Sequence, residues 1–580
     1  MKSITWRGFW PRGFGTVALV TGVAALGIEL FHAMAVAWSH GNARFWLEVE
    51  MDSPVAWLCF LLVLVAPVLA WVTPSRERST AKGSWRVKLG IVVGASVLLY
   101  GLLMQGAMHG LAYTPDEQSA MLQARTFAEG RLTPHVTPEL VGLVVPKWFQ
   151  GEFVLLSRHS GFYSSIYWPG YALLMTPFAL LHIEWLCNPV LTALTLVGVF
   201  LLAKRLTRSE EAAWWAVAIT LCSAQVALQA ASYFSMPAHL AINILFCLLF
   251  VQNTRRATFI AGLVGGFALV LHNPVPHFSF AFPWIVWMAF ARRSHLAPLL
   301  TGYALVFLPI GLGWSAHLQI FDAPLYVSGG AQSTGVDAHS PGAQVLSRVA
   351  VALRPPDAML LLARGAGLCK LVVWAVPGAV GLAMLGWLQA RRERAQLAAS
   401  GERDPFDEHR FDASYLWLLG VSLAFNFALY FGVRFDQGHG WGFRYLHQTW
   451  MAIPILGGFF LARAGQTWKK MAAILCVLSL LLVLPIRAGD MNSVFASRQR
   501  FRPPAPPQTP SITFVQEETP SNVWLQNDPF LRDPHWMLLF QSPSKNALLA
   551  RRFLQNARLV GRGAWGETWT GTHFSRPGSP

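Results

Sequence analysis

Charge is scarce in this 580-residue chain: Asp, Glu, Lys and Arg together make up 13% of it, while 54% of the residues are hydrophobic. So little charge cannot clothe a water-facing surface of that size. This excludes an ordinary soluble protein and points to an integral membrane protein. Cysteine is also scarce. The six (Cys59, Cys187, Cys222, Cys247, Cys369 and Cys476) are scattered, mostly inside apolar runs, with no Cys-x-x-Cys pair, so no disulfide framework is expected. Acids are outnumbered 29 to 45 by Lys and Arg, giving a net charge of +16. No internal repeat is evident, and the first apolar run lacks a clear small-residue cleavage site and reads as a retained span.

Long apolar runs are abundant. Length and hydropathy predict an all-α polytopic protein of about thirteen spans. They lie near 14–38, 53–73, 88–112, 188–206, 211–229, 237–252, 257–272, 276–291, 296–317, 370–389, 414–432, 445–463 and 470–487. The 25 Trp suit interfacial aromatic belts. With the N-terminus cytoplasmic, the inside loops hold about twice as many Lys and Arg as the outside loops, tail apart. The densest inside groups are Arg76, Arg78, Lys82, Arg86 and Lys88, then Arg391, Arg392, Arg394, Arg403 and Arg410. This distribution accounts for the positive charge without nucleic acid. It leaves three segments outside, 113–187, 318–369 and 433–444, together with the tail. The tail opens with the stiff linker Pro503-Pro504-Ala505-Pro506-Pro507, followed by strand-like Ile512–Val515 and helical Asn546–Gln555. A small soluble α/β domain is expected there. The organisation read is a two-helix extension over 1–87, a transmembrane core over 88–487 and an extracytoplasmic domain over 488–580.

Where the third span ends, two acids follow: Tyr113-Thr114-Pro115-Asp116-Glu117, opening an amphipathic segment that stops at Gly130. Ionisable groups at a span mouth suggest a site at the membrane surface. The same residues also make a helix start, with Thr114 as N-cap, Pro115 at N1 and Glu117 closing a capping box. Both readings stand, since a helix start holds a carboxylate rigidly. Gly161–Phe178, rich in aromatics and broken by Pro169-Gly170, suits an interfacial or re-entrant helix, or a loop lying on the membrane. Arg444-Tyr445 follows a glycine-rich turn. An outside arginine there fits either a bidentate grip on phosphate or a lipid headgroup contact. His272 and His277 have no metal-ligand spacing, and His239 reads as a satisfied helix-end histidine.

An early outward Asp-Glu, a Tyr167–Phe178 segment of the form Tyr-x-Pro-Gly-x-x-Leu-Leu-x-x-Pro-Phe, and a late Gly442-Phe443-Arg444-Tyr445 resemble the C-type glycosyltransferase superfamily (GT-C). The resemblance is to its bacterial protein O-mannosyltransferase and lipid A aminoarabinose transferase relatives, over about 88–487. It implies a bacterial plasma-membrane enzyme with Asp116 as catalytic base and Glu117 in support. The donor would be a polyprenyl-phosphate sugar, and the acceptor a glycan, lipid or protein hydroxyl outside the cytoplasm. Tyr113, Tyr167 and Tyr445 would line the pocket, and the membrane lipids would be its surroundings. Two positions depart from the pattern. Ile166 stands where a basic residue is often found, with Trp168 in place of a proline. His272 or Asn273 stands in place of an arginine. These departures leave donor phosphate to Arg444, Arg158 or His159, or signal altered activity. No cofactor is called for, and no metal site is read. A lipid-linked-glycan flippase or a catalytically silent scaffold would also be polytopic; a transporter should show repeats and polar residues at midplane depth, whereas here the acids gather at one face.

Overall fold

In the computed structural model, the described residues are 11–38, 51–74, 84–321, 358–399, 408–431, 440–499, 503–516 and 521–574. Positions 76, 78, 82 and 403 of the basic clusters, 433–439 of the glycine-rich turn and most of the 318–369 segment lie outside them.

The molecule is built from apolar helices. Among the described residues, seven are long and apolar enough to cross a bilayer, and nine if each of two bent pairs is one span. Nine of the thirteen expected spans meet this measure among the described residues. The difference is physical. Met236–Phe250, Val275–Ala291 and Ala452–Arg463 are apolar but shorter than a full crossing, and the expected span 257–272 is the 15-residue helix Arg255–Leu269. The predicted span 370–389 is not one helix: Leu360–Trp374 and Ala379–Leu397 meet at 96°. That break contains Pro377-Gly378, residues that end helices. The predicted span 211–229 bends by 63° between Glu210–Leu221 and Ala224–Ala230. The seven spans are between 22% and 67% buried inside the protein over their most apolar windows. Much of their Leu and Val surface faces outward, as it can when the solvent is lipid.

Above one end of the bundle lies the 113–187 segment. It comprises the helix Pro115–Ala128, a two-stranded antiparallel ladder of β1 (Val154–Leu156) and β2 (Tyr163–Ser165), and the short helix Gly170–Leu180. The last long helical run continues through Gly489 to Gln499. The tail then folds as expected into an α/β unit. A four-stranded sheet of order β4-β3-β6-β5 is made from β3 (Ser511–Val515), β4 (His535–Leu539), β5 (Arg558–Gly563) and β6 (Gly566–Thr570), with helix Pro543–Phe553. Only the β3–β4 pairing is parallel.

This unit is docked on the 113–187 segment. Leu539 N–H donates to the Leu143 carbonyl (2.7 Å), Tyr163 hydroxyl to the Pro529 carbonyl (2.6 Å) and Trp524 Nε1 to Gln118 Oε1 (2.9 Å). Ile512, Phe514, Leu538 and Trp536 share one buried cluster with Leu122, Val144 and Tyr163. The tail and the acid-bearing segment therefore lie on the same side of the molecule.

Candidate active site at the mouth of the bundle

Thr114 ends an extended stretch and caps the next helix. Its side chain accepts from Glu117 N–H, and Glu117 accepts from the Thr114 N–H, completing the capping box. Pro115 fits the first turn, where no backbone donor is needed. This start fixes the two acids in opposite circumstances.

Glu117 turns inward and is buried. Its Oε2 accepts from the N–H groups of Tyr113 (3.0 Å) and Thr114 (2.8 Å), and its Oε1 accepts from Tyr233 N–H (2.9 Å). Burial pushes its carboxyl above the usual range, while the surrounding amides pull it down. Both oxygens are engaged, so Glu117 ties the helix start to the 232–235 connection.

Asp116 is less enclosed, its side chain 16% exposed. Tyr167 hydroxyl donates to Oδ1, and Arg444 Nη1 stands 3.4 Å from Oδ2. That is longer than the 2.7–2.9 Å of a tight charge-assisted bond. The Arg444 guanidinium lies over the Phe234 ring at 4.2 Å.

Arg444 opens a 3₁₀ turn, Arg444–Thr449. The segment before it is held by side-chain amides one helical turn apart. Gln225 Nε2 donates to the Phe443 carbonyl (3.0 Å) and Gln229 Nε2 to the Trp441 carbonyl (2.7 Å). Gly442, at φ +81°, cannot be replaced without strain, since a Cβ there would stand 2.6 Å from Gln225 Oε1.

Tyr167 is held by the 270–272 segment that follows the helix Arg255–Leu269. Trp168 N–H donates to the His272 carbonyl (3.1 Å), Gly170 N–H to the Val270 carbonyl and Tyr171 N–H to the Leu271 carbonyl (2.8 Å each). A Cβ at Gly170 would stand 2.7 Å from the Val270 oxygen, which explains the Pro-Gly break. The His272 ring stacks on Tyr167 at 3.8 Å, and Trp314 Nε1 donates to the Tyr167 carbonyl at 2.9 Å. Burial pushes His272 down to about 4, so its imidazole is neutral near pH 7. Burial, then the neighbouring Asp116 charge, raises the Tyr167 phenol well above its usual range, keeping it a hydrogen-bond donor.

The structure thus gathers Asp116, Tyr167, Arg444 and His272. Tyr113 packs against Trp441 and Phe495, at 5.6 and 5.2 Å. Tyr445 stacks on Tyr430 at 4.4 Å. Arg158 and His159 are elsewhere, exposed past the far end of the hairpin, where Leu156 pairs with Tyr163; Arg158 donates to Gln150. Tyr167 lies four positions beyond Tyr163, past the end of the strand. Ile166 continues the hairpin edge, its N–H donating to the Phe153 carbonyl. Among the described residues no three His, Cys, Asp or Glu side chains gather as a metal would need.

Two residues escape sequence reasoning. Arg364, fully buried, lays its guanidinium 4.9 Å from the Tyr445 ring and donates to the Tyr430 carbonyl (3.0 Å). A charged residue inside the apolar run 358–374 was its signal. His239 sits at a helix start, as expected, but is not satisfied there: among the described residues no group hydrogen-bonds either ring nitrogen, though the residue is fully buried.

The fold and site define a polytopic helical membrane protein with a carboxylate–guanidinium pair at one end of the bundle. In shape the chain is similar to ArnT from Cupriavidus metallidurans bound to undecaprenyl phosphate, at 13% identity over 84% of this chain and 98% of that one, with a TM-score of 0.46. It is similar also to ArnT of the same organism in the apo state, at the same identity and coverage, with a TM-score of 0.37. A likeness of this size carries no argument about chemistry. No family model and no curated protein matches the chain.

Proposed function

We propose that the protein is a membrane glycosyltransferase that moves a sugar from a polyprenyl-phosphate donor to an acceptor hydroxyl outside the cytoplasm. The observation that carries this is the contact of Asp116 with both Arg444 and Tyr167 at the mouth of the bundle, built from three segments distant in sequence. The same three segments carry the GT-C resemblance.

The chemistry asks little more. Asp116 takes the proton of the acceptor hydroxyl as its oxygen attacks the anomeric carbon. The bond from that carbon to the phosphate oxygen breaks, its electron pair leaves with the phosphate, and the centre inverts. Phosphate is already a good leaving group, so no general acid is required. Arg444, loosely held by Asp116, is suited to grip the departing oxygens. Glu117 orients the helix that carries the base. The lipid tail would lie along the apolar helices.

We place the N-terminus in the cytoplasm and the tail outside, in a bacterial plasma membrane. A reporter fused after Pro580 should then be active only outside the cytoplasm, and cytoplasmic activity would reject this orientation. The function itself is tested by profiling lipid-linked glycans in a deletion strain. Rescue by the wild-type chain and failure by Asp116→Asn is the expected result; an unchanged profile on deletion would refute it.

A further inference from the structure

We infer that the end of the bundle away from Asp116 carries a second lipid site, which takes a headgroup joining a phosphate to a primary ammonium. A cavity of about 480 Å³ lies there among four helix ends. They are the ends of Cys187–Thr207, Ala379–Leu397 and Ala452–Arg463 and the start of Glu408–Phe431. Its size is that of a ligand site, commonly about 300–1,000 Å³. The helix Glu408–Phe431 sets its distance from the proposed active site. Tyr430, near one end, stacks on Tyr445, the neighbour of Arg444, and Asp412, near the other, lines the cavity. At about 1.5 Å per residue they stand about 27 Å apart.

Two acids on the cavity wall are held differently. Asp412, 8% exposed, meets Arg205 Nη1 at 3.1 Å and Arg208 Nε at 3.0 Å, and ties helix ends together. Glu393 is looser. Its Oε1 stands 3.8 Å from Arg463 Nε, with both side chains more than a third exposed. A tight charge-assisted bond would be about 2.7–2.9 Å. Gln389 Nε2 donates to the same Oε1 at 3.2 Å. Among the described residues, Glu393 Oε2 and the two Nη groups of Arg463 make no hydrogen bond. The Arg463 guanidinium rests on the Phe459 ring at 4.0 Å, which keeps it at the wall. An exposed, loose pair of this kind contributes little to stability, so a ligand parts it at small cost.

The chemistry of that ligand follows from the pair. The guanidinium fork of Arg463 suits two phosphate oxygens. A phosphate alone would bring its charge against Glu393. A headgroup with an ammonium beyond the phosphate gives each member of the pair an opposite charge. The rest of the wall includes Leu206, Leu416 and Phe459, which suit the apolar part of a lipid rather than a free ion. The surroundings fit headgroup depth, since Lys204 and Arg205 close one helix and Arg394 lies over Trp417 at 4.2 Å.

The test is equilibrium binding to the full-length protein in detergent. The probes are dioctanoyl phosphatidylethanolamine, phosphatidylglycerol and phosphatidylcholine, with free phosphoethanolamine as the soluble source of the same groups. The ethanolamine lipid should bind about tenfold tighter than the other two, since glycerol lacks the charge and choline lacks the N–H donors. Arg463→Gln should weaken the ethanolamine and glycerol lipids alike, by about tenfold or more. Glu393→Gln should weaken the ethanolamine lipid alone and erase its preference, which a merely structural role would not do. Arg444→Ala should leave all three unchanged, because that residue serves the other end. If Arg463→Gln fails to fold, Arg463→Lys, with charge but no fork, should show a smaller loss for both lipids. Equal binding of the three lipids by the wild type, or a preference that survives Glu393→Gln, overturns the assignment. Free phosphoethanolamine binding as tightly as the lipid rejects a lipid as the occupant.

Discussion

Asp52 and Asp116 are each paired with an arginine, and they are paired differently. Asp52 is fully buried at the start of the helix Asp52–Val72. Its oxygens meet Arg487 Nη1 at 2.5 Å, Lys370 Nζ at 3.0 Å and Trp374 Nε1 at 2.7 Å. Arg487 also lies over the Trp374 ring at 4.3 Å. Asp116 has one arginine at 3.4 Å and one tyrosine, and it is partly open. A sealed, multiply paired carboxylate fixes helices in place. A loosely paired, partly exposed one keeps a lone pair for a substrate. The same residue types thus serve architecture in one place and, as proposed, chemistry in the other.

The largest effect should come from the sealed cluster. Asp52→Ala leaves two buried cations without their counter-charge, which costs about 3–5 kcal/mol. Thermal unfolding in nanodiscs should show this as a large fall in Tm. A change below about 1 kcal/mol would mean that water reaches the cluster and that the contrast with Asp116 is overstated.

Next comes Asp116→Asn. It keeps the shape of the side chain and removes the proton acceptor, so turnover should drop by about 100-fold or more with Tm nearly unchanged. If instead Tm falls and turnover persists, Asp116 belongs with Asp52 as a structural group.

The sequence showed one half of this comparison and hid the other. The capping box is local, so Thr114 and Glu117 three residues apart already display it. Asp116, Arg444 and Tyr167 each stood out by chemistry at a span mouth, but their contact depends on folding across 328 residues for the first two. The Asp52 cluster was invisible because Asp52 and Arg487 are 435 residues apart. Each charge also lies at the edge of an apolar run, where it reads as a boundary. Pro377-Gly378 did mark the bent helix pair, yet continuous hydropathy across it outweighed that signal. His239 was misread because burial and partners cannot be seen along a chain.

Arg444→Ala probes the other side of the open pair. A hydrogen bond to a charged group contributes about 1.5–3 kcal/mol, so polyprenyl-phosphate affinity should fall by at least about tenfold. Arg444→Lys should recover only part, because an ammonium keeps charge but loses the two-pronged geometry. Unchanged affinity in Arg444→Ala would shift the phosphate away from Asp116.

Glu117→Gln sharpens the contrast between adjacent acids. Glutamine has one acceptor oxygen where the native side chain uses two, so its amide N–H₂ must face either Tyr233 N–H or the Tyr113 and Thr114 N–H groups. Two donors then oppose each other, at a cost of about 1–3 kcal/mol in stability. Its activity loss should be smaller than that of Asp116→Asn. The reverse order would place the base at Glu117.

The smallest effect is expected for Tyr167→Phe, and it tests how free Asp116 is. The substitution keeps the ring that stacks on His272 and removes only the hydroxyl that donates to Asp116 Oδ1. Two consequences oppose each other. The carboxylate loses a bond that orients it, which slows proton abstraction. It also regains a lone pair that the tyrosine occupied, which helps. Turnover should therefore change by less than about tenfold, roughly 1.4 kcal/mol or under, whereas Tyr167→Ala, which also removes the stacked ring, should cost more. Single-turnover rates for the two variants separate these terms. A Tyr167→Phe loss as large as that of Asp116→Asn would show that the hydroxyl itself takes part in the proton transfer. Asp116 would then be less free than its long contact with Arg444 suggests.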